Sequence, residues 1–335
     1  MTMQYLVTGG AGFIGSNLVD RLLADGHAVA VLDNFDPFYE RARKEANLEQ
    51  AARAPRFRLI EGDITDPEAV AAAWADGPPD VVVHLAARAG VRPSIADPVG
   101  YSRVNIDGTL RLLEQTKQHP ATRFIFASSS SVYGDRPDAP FRETDRVDDP
   151  ISPYAATKKA GELLCHTYHH LYGLPVTCLR FFTVYGPRNR PDLAIAKFVR
   201  LIDRGEPIPV YGDGTTRRDY TFIEDIVDGV LRAAQHCQGY AIYNLGNASP
   251  VALSQLVELI GQALGKTPSI QRLPPQPGDV RQTFADVSRA GRDLGYAPKT
   301  SLPEGLKRYA EWYRTAQAGQ RPGAENRRQK DVVHG

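Results

Sequence analysis

A strand, a glycine-rich turn, a helix, a second strand and an acid stand in that order at the head of this chain. Residues 3–8 (MQYLVT) form a short apolar run, read as a buried parallel strand. The run feeds Gly9-Gly10-Ala11-Gly12-Phe13-Ile14-Gly15, and Leu18, Leu22 and Leu23 then mark a helix that stops at Gly26. A second strand over 27–32 ends in Asp33. Glycines let a backbone approach a pyrophosphate closely, and a helix N-terminus offers it N–H groups and positive dipole. An acid at the end of the second strand is placed to accept hydrogen bonds from a ribose diol. The spacing Gly9-x-x-Gly12-x-x-Gly15 differs from the commoner G-x-G-x-x-G, yet the complete unit points to a dinucleotide. A carboxylate at Asp33 repels a 2′-phosphate, so the expected cofactor is NAD and not NADP. Arg41, Arg43 and Lys44 follow and read as a solvated basic helix; Lys44 is kept as a candidate cofactor contact.

The alternation of strand and helix continues. Residues 57–61 read as a third strand, followed by Gly62-Asp63-Ile64-Thr65-Asp66-Pro67 and a helix to about residue 75. Asp63 and Ile64 sit at the strand's carboxyl end, where ligands gather in open α/β sheets, and are candidate adenine contacts. Asp66 before Pro67 makes the better helix cap. Residues 80–85 are a fourth strand running into Ala86, Ala87, Arg88, Ala89 and Gly90, small enough for close approach of a cofactor. A long helix over about 100–118 carries Asn105. Residues 123–127 are a fifth strand that opens into Ser128, Ser129, Ser130 and Ser131, and 176–182 are a sixth. The expected fold class is α/β, a doubly wound parallel sheet of Rossmann type over 1–182, which a strand near 241–245 rejoins. A smaller C-terminal substrate lobe is expected over 183–316. The tail over 317–335 is polar and aperiodic and reads as disordered.

Charge and cysteine usage narrow the partners. A net charge of +1 gives no bulk field for nucleic acid or a membrane surface. The apolar runs are too short to span a bilayer, and the start leads into a strand without a leader pattern. Cys165, Cys178 and Cys237 are an odd count without metal-type spacing, and read as small buried hydrophobes in a reducing cytoplasm. No metal is expected.

The second constraint is Ser152-Pro153-Tyr154-Ala155-Ala156-Thr157-Lys158, opening a helix pattern that runs to about residue 171. Pro153 suits the first helical turn. Tyr154 and Lys158, one turn apart, share a helix face. An amine beside a phenol favours the phenolate, so Lys158 is expected to lower the Tyr154 pKa and make it a general base for a sugar or alcohol hydroxyl. An isolated Tyr-x-x-x-Lys is an ordinary helix surface; here it follows a dinucleotide loop and a serine run at a strand's carboxyl end. Arg188, Arg190, Arg217, Arg218 and Arg281 read as loop residues and suggest a polyanionic substrate such as a diphosphate.

With Gly9-x-x-Gly12-x-x-Gly15, Ser129 and Tyr154-x-x-x-Lys158 in one chain, the sequence resembles the extended short-chain dehydrogenase/reductases over nearly its whole length. Within them it is similar to the sugar-nucleotide 4-epimerases, and most of all to the UDP-glucuronate 4-epimerases. Residues 32–35 (LDNF), 89–92 (AGVR), 154–162 (YAATKKAGE) and 180–188 (RFFTVYGPR) carry that likeness. The resemblance implies that Gly9, Gly12, Phe13, Ile14 and Gly15 cradle the NAD pyrophosphate. It places Asp33 and Asn34 on the adenosine ribose, Asp63 and Ile64 on adenine, and Leu85, Ala86 and Ala87 along the dinucleotide. Lys158 bonds the nicotinamide ribose, and Ser129 the substrate O4. Arg218 meets the diphosphate and Asp279 the uridine ribose. Asn105 and Phe181 complete the candidate cofactor contacts, and Arg92 and Val210 the candidate substrate contacts. The 4,6-dehydratases carry an acid pair where this chain has Ser130 and Ser131, so dehydration is not expected.

The expected reaction is NAD-dependent epimerisation at C4 of UDP-glucuronate through a 4-keto sugar, with UDP-glucose 4-epimerase, UDP-glucuronate decarboxylase and a non-catalytic NAD-binding regulator as competing readings. A uronate carboxylate needs partners near C5; Thr183 is assigned that role, with Ser130, Ser131 and Arg190 in support. A homodimer is expected, formed by the helices near 100–118 and 153–171 with Leu164, Tyr168 and Leu171 at the contact.

Overall fold

The computed structural model describes residues 2–274 and 280–320, without the side chains of 318–320. Asp279, the expected uridine contact, lies outside the described residues.

Twelve strands are described: β1 (Gln4–Thr8), β2 (Ala28–Asp33), β3 (Phe57–Glu61), β4 (Val81–His84), β5 (Arg123–Ser129), β6 (Val176–Phe181), β7 (Thr183–Tyr185), β8 (Ile208–Tyr211), β9 (Arg217–Phe222), β10 (Tyr240–Leu245), β11 (Pro250–Ala252) and β12 (Ile270–Leu273). Seven of them make one parallel sheet in the order β10-β6-β5-β4-β1-β2-β3. This is the doubly wound sheet, and the strand expected near 241–245, β10, lies in it beside β6. The order reverses between β1 and β4, which opens a crevice at the strands' carboxyl ends.

Strand residues alternate between two apolar layers, because successive side chains point to opposite faces. Tyr5, Val7, Val81, Val83, Ile125 and Leu179 belong to one layer; Leu6, Val82, Phe124, Phe126, Val176 and Cys178 belong to the other. Both faces are covered, which explains why the strands read as continuous apolar runs. Cys165, Cys178 and Cys237 are all buried free thiols within these layers.

The remaining strands form a three-stranded sheet, β11-β9-β7, and a pair, β12-β8. They stand where the βα rhythm breaks in the sequence. The last helix, Leu302–Gln320, runs to the end of the described residues. One expectation needs correction here. Arg217 and Arg218 lie on β9 and not in a loop, because Val251 and Ala252 of β11 pair with that stretch.

Candidate active site

The glycine loop is shaped by contacts that leave no room for side chains. Gly9 has φ +71, and a Cβ there would stand 2.7 Å from the Ala86 nitrogen. A Cβ on Gly15 would stand 2.2 Å from the Gly9 oxygen, and one on Gly12 3.2 Å from it. The helix Phe13–Ala24 then starts with Gly12 as its N-cap and no capping side chain. Its first N–H groups are thus not spent on a side chain, the condition for binding an anion.

Asp33 closes this loop from below. It is buried, and its two carboxylate oxygens accept from Ala11 N at 2.9 Å and Phe35 N at 2.8 Å. Burial pushes its pKa up, and those two bonds and the Lys44 charge oppose the shift. Each oxygen keeps a lone pair for a ribose hydroxyl. Beside it, Asn34 Nδ2 donates to Asp63 Oδ2 at 2.7 Å. Leu85, Ala86 and Ala87 stand half-buried at the end of β4, and Ala86 N donates to Thr8 Oγ1 at 3.2 Å. The tight glycine cradle, the uncapped helix end and the ribose-level carboxylate together fit a dinucleotide.

Several candidates sit differently from expectation. Lys44 is not a solvated cation; it is buried, donates to the Asp36 carbonyl at 2.7 Å and covers the Tyr39 ring. The Ile64 side chain packs inward, against the position a Cβ on Gly108 would take, which leaves its backbone for an adenine contact. Asn105 lies in a π-helical stretch, Arg103–Asp107, and its amide is committed to protein. Its Oδ1 accepts from Arg88 N, and its Nδ2 donates to Arg88 O and Thr157 Oγ1. Asn105 braces the segment after β4, and its amide hydrogens are both used. Phe181 is in the core at the end of β6.

The helix Pro153–Tyr172 is capped by Ser152, whose Oγ accepts from Ala155 N at 3.1 Å, and Pro153 fills its first turn. Tyr154 and Lys158 face β5. Lys158 is 3% exposed, and its Nζ donates to the Ala127 carbonyl at 2.7 Å. Burial lowers its pKa to about 8. The expected lowering of the Tyr154 pKa by Lys158 is not what the geometry gives. Burial pushes the Tyr154 phenol up, and what pulls it back is a hydrogen bond with Ser129 and the charge of Arg190. The amine is turned to a main-chain carbonyl instead, with two N–H groups left for another acceptor.

Ser129 ends β5 and caps the short turn Ser130–Tyr133. Its oxygen accepts from Ser131 Oγ at 2.9 Å and from Ser131 N at 3.2 Å. Arg190 is half-buried. Its guanidinium donates to both oxygens of Asp192, at 3.1 and 2.9 Å, and lies 5.3 Å from the Phe38 ring centroid. Its charge is thus felt at the Tyr154 phenol, and it is already ion-paired.

A cleft of about 280 Å³ adjoins this site. Arg92, Thr183, Asn189, Lys197, Tyr211 and Arg218 are among its lining residues. Arg92 also sits over the Tyr211 ring at 5.5 Å. Val210 is not on the cleft; its side chain is buried in the core because β8 alternates, and its neighbours Pro209 and Tyr211 face the cleft instead. Arg188 pairs with Asp20 at 2.7 Å, and Arg281 lines a separate small groove, so the loop arginines do not converge as one cluster. Lys197 and Asn189 escaped sequence reasoning: a single Lys on an amphipathic helix and a single Asn in a turn carry no spacing signal. Among the described residues, no group of His, Cys, Asp and Glu is placed to hold a metal ion, and no helix is long and apolar enough to cross a membrane.

A seven-stranded parallel sheet with this glycine cradle, a serine at the end of β5 and a Tyr-x-x-x-Lys helix packed on it define an extended short-chain dehydrogenase/reductase. The chain belongs to the NAD dependent epimerase/dehydratase family, whose model matches residues 5–246. It is 43% identical over 310 residues to a UDP-glucuronate 4-epimerase of Thermodesulfobacterium geofontis, covering 92% of this chain and 95% of that protein. The fold is also similar to the crystal structure of UDP-glucuronic acid 4-epimerase from Bacillus cereus in complex with UDP-glucuronic acid and NAD. That match has a TM-score of 0.88 and 36% identity, and covers 94% of this chain and 100% of that one. UDP-glucose 4-epimerase of Thermus thermophilus in complex with NAD matches with a TM-score of 0.85 and 34% identity, covering 94% and 100%.

Proposed function

We propose that this chain is an NAD-dependent UDP-glucuronate 4-epimerase, an isomerase that interconverts UDP-glucuronate and UDP-galacturonate. The observation that carries the reading is the placement of Ser129, at the end of β5, and the Arg190 charge close enough to the Tyr154 phenol to oppose the rise of its pKa, with Asp192, the ion-pair partner of Arg190, on the cleft that Arg92 and Arg218 line. The relatives named above support the substrate.

Gly9, Gly12, Phe13, Ile14, Gly15 and Asp33 would hold the dinucleotide, and the two spare N–H groups of Lys158 would reach its nicotinamide ribose. When bound, NAD would supply hydride acceptance at C4, leaving a 4-keto sugar, and hydride return to the opposite face. Tyr154 removes the O4 proton as a phenolate and gives it back as a phenol, with Ser129 orienting O4. Arg218 and Arg92 hold the diphosphate, so binding energy remote from C4 retains the sugar while it turns. Residues 183–316 would form most of that sugar-nucleotide lobe, and residues 1–182 with β10 the NAD domain.

Thr183, Ser130, Ser131 and Arg190 take the C6 carboxylate in this reading. A 4-keto uronate is a β-keto acid, which loses CO₂ when the C5–C6 bond aligns with the carbonyl π system. Pinning the carboxylate off that alignment separates epimerisation from decarboxylation. One observation favours a second reading, UDP-glucose 4-epimerase: Asp192 already neutralises Arg190. Uronate binding requires that pair to open or share its hydrogen bonds.

We further infer a cytoplasmic homodimer. Three buried free thiols suit a reducing compartment. Leu163 (56% exposed) and Leu171 (61%) lie eight residues apart on one stripe of the Tyr154 helix, with Val99 exposed on the neighbouring helix. The expected contacts Leu164 and Tyr168 pack into their own core, since Tyr168 is hydrogen-bonded to Glu114 there. Tyr154→Phe tests the catalytic reading. It is expected to bind UDP-glucuronate and lose turnover by roughly 10²–10⁴-fold, and near-normal turnover would sink the assignment.

A further inference from the structure

His84 lies at the end of β4, 1% exposed, between the glycine loop and the catalytic helix. Its Nδ1 is 2.8 Å from Thr8 Oγ1, and its Nε2 is 2.9 Å from Thr109 Oγ1. The donors can be assigned one by one. Thr109 Oγ1 is 2.7 Å from the Asn105 carbonyl, which only accepts, so the Thr109 hydrogen goes there. His84 Nε2 must then be the donor to Thr109. A neutral imidazole has one N–H, so Nδ1 accepts, and Thr8 gives it its hydrogen. Thr8 Oγ1 in turn accepts from Ala86 N at 3.2 Å. On the far side, Asn105 Nδ2 donates to Thr157 Oγ1 at 3.0 Å, and Thr157 Oγ1 donates to the Tyr154 carbonyl at 2.8 Å. Burial and the Lys158 charge keep the imidazole neutral, with a pKa of about 3.

We propose that His84 is a positioning residue that couples the dinucleotide loop to the first turn of the Tyr154 helix through two hydrogen-bond runs that meet at Asn105, one ending on its main-chain carbonyl and the other starting from its side-chain amide. Together they reach from Ala86, against which Gly9 packs, to the main chain of Tyr154. Thr8, His84, Asn105, Thr109 and Thr157 are each buried to 2% exposure or less, so water offers no substitute partner. A shift of the loop is therefore felt at the phenol, and the reverse. This inference rests on the functional reading above for what Tyr154 does, but the coupling itself is measured on NAD.

The test uses the NAD-loaded protein and Thr109→Val, which keeps the shape and removes the hydroxyl, beside Thr109→Ser, which keeps the hydroxyl. Two quantities are read: the rate of NAD release after dilution, well below the melting temperature, and the kcat and KM for UDP-glucuronate. Thr109 belongs to the helix that follows Asn105 and not to the glycine loop. The coupling predicts that Thr109→Val speeds NAD release about 5- to 10-fold and lowers kcat about 10-fold with KM within twofold. Thr109→Ser should restore both. Adding Thr8→Val to Thr109→Val should do no further harm, because one chain is already broken. Wild-type NAD release in a folded Thr109→Val would overturn the proposal, as would additive effects of the two valines. If Thr109→Val does not fold, Thr8→Val answers from the other end: an unchanged kcat per NAD-loaded site overturns it equally. Should the wild type prove inactive on UDP-glucuronate, the functional reading fails while the NAD-release comparison still decides the coupling.

Discussion

Arg180 and Glu162 are joined by a double hydrogen bond, Nε to Oε1 and Nη2 to Oε2, both at 2.8 Å, with each side chain 1% exposed. Ser128 Oγ donates to the same carboxylate at 2.6 Å, and Arg180 Nη1 reaches Tyr133 Oη at 3.0 Å. Glu162 lies one turn beyond Lys158, and Ser128 immediately precedes Ser129. The pair thus ties the helix Pro153–Tyr172 to the ends of β5 and β6. Removing one partner strands a buried charge, so Arg180→Met should destabilise the protein by about 3–5 kcal/mol in urea unfolding. Pairing it with Glu162→Leu should recover much of that loss. A single-variant cost below about 1 kcal/mol would show that the network does not hold these elements together.

The pH dependence of turnover should report Ser129. In this protein the Tyr154 pKa is raised by burial, and the Ser129 hydrogen bond opposes the rise. In the proposed mechanism the phenolate is the working base, so kcat/KM should rise with pH until Tyr154 ionises. Ser129→Ala removes a bond that favours the phenolate, and the rising limb should move to higher pH. A limb that stays in place, or moves down, would mean that Ser129 does not touch the ionising group.

Arg190 is expected to separate two substrates. A charge-assisted hydrogen bond contributes about 1.5–3 kcal/mol, so Arg190→Ala should lower kcat/KM for UDP-glucuronate roughly 10- to 150-fold. Its charge also lowers the Tyr154 pKa, so both UDP-glucuronate and UDP-glucose lose that part, and the difference between them isolates the carboxylate. Release of a pentose product from UDP-glucuronate would mark loss of the pinning. Equal losses on the two substrates would move the UDP-glucose reading ahead.

Leu163→Glu with Leu171→Glu should convert a dimer to a monomer in sedimentation velocity at micromolar concentration. A wild type that sediments as a monomer would contradict the homodimer outright.

Much of the frame is readable from the chain because parallel strands buried on both faces print as apolar runs, and glycine loops recur at their ends. β3 matches its expected bounds, and β10 joins the sheet where a returning strand was expected. What is not readable is where long polar side chains point. Nothing local says that the Lys158 amine turns to Ala127 O, or that Arg180 meets Glu162, because each partner lies on a different element and only the packed layers bring them together. Val210 was misplaced for a related reason: a two-residue period puts it inside and Tyr211 outside, but the phase is set by the lobe's own core. The His84 chain was equally hidden, since its members span residues 8 to 157.

The most direct test of the account is to incubate the purified, NAD-loaded protein with UDP-glucuronate and with UDP-glucose separately and resolve the products. The account predicts UDP-galacturonate from UDP-glucuronate, of unchanged mass, with no net NADH. Conversion of UDP-glucose alone, or a product lighter by CO₂, would contradict it.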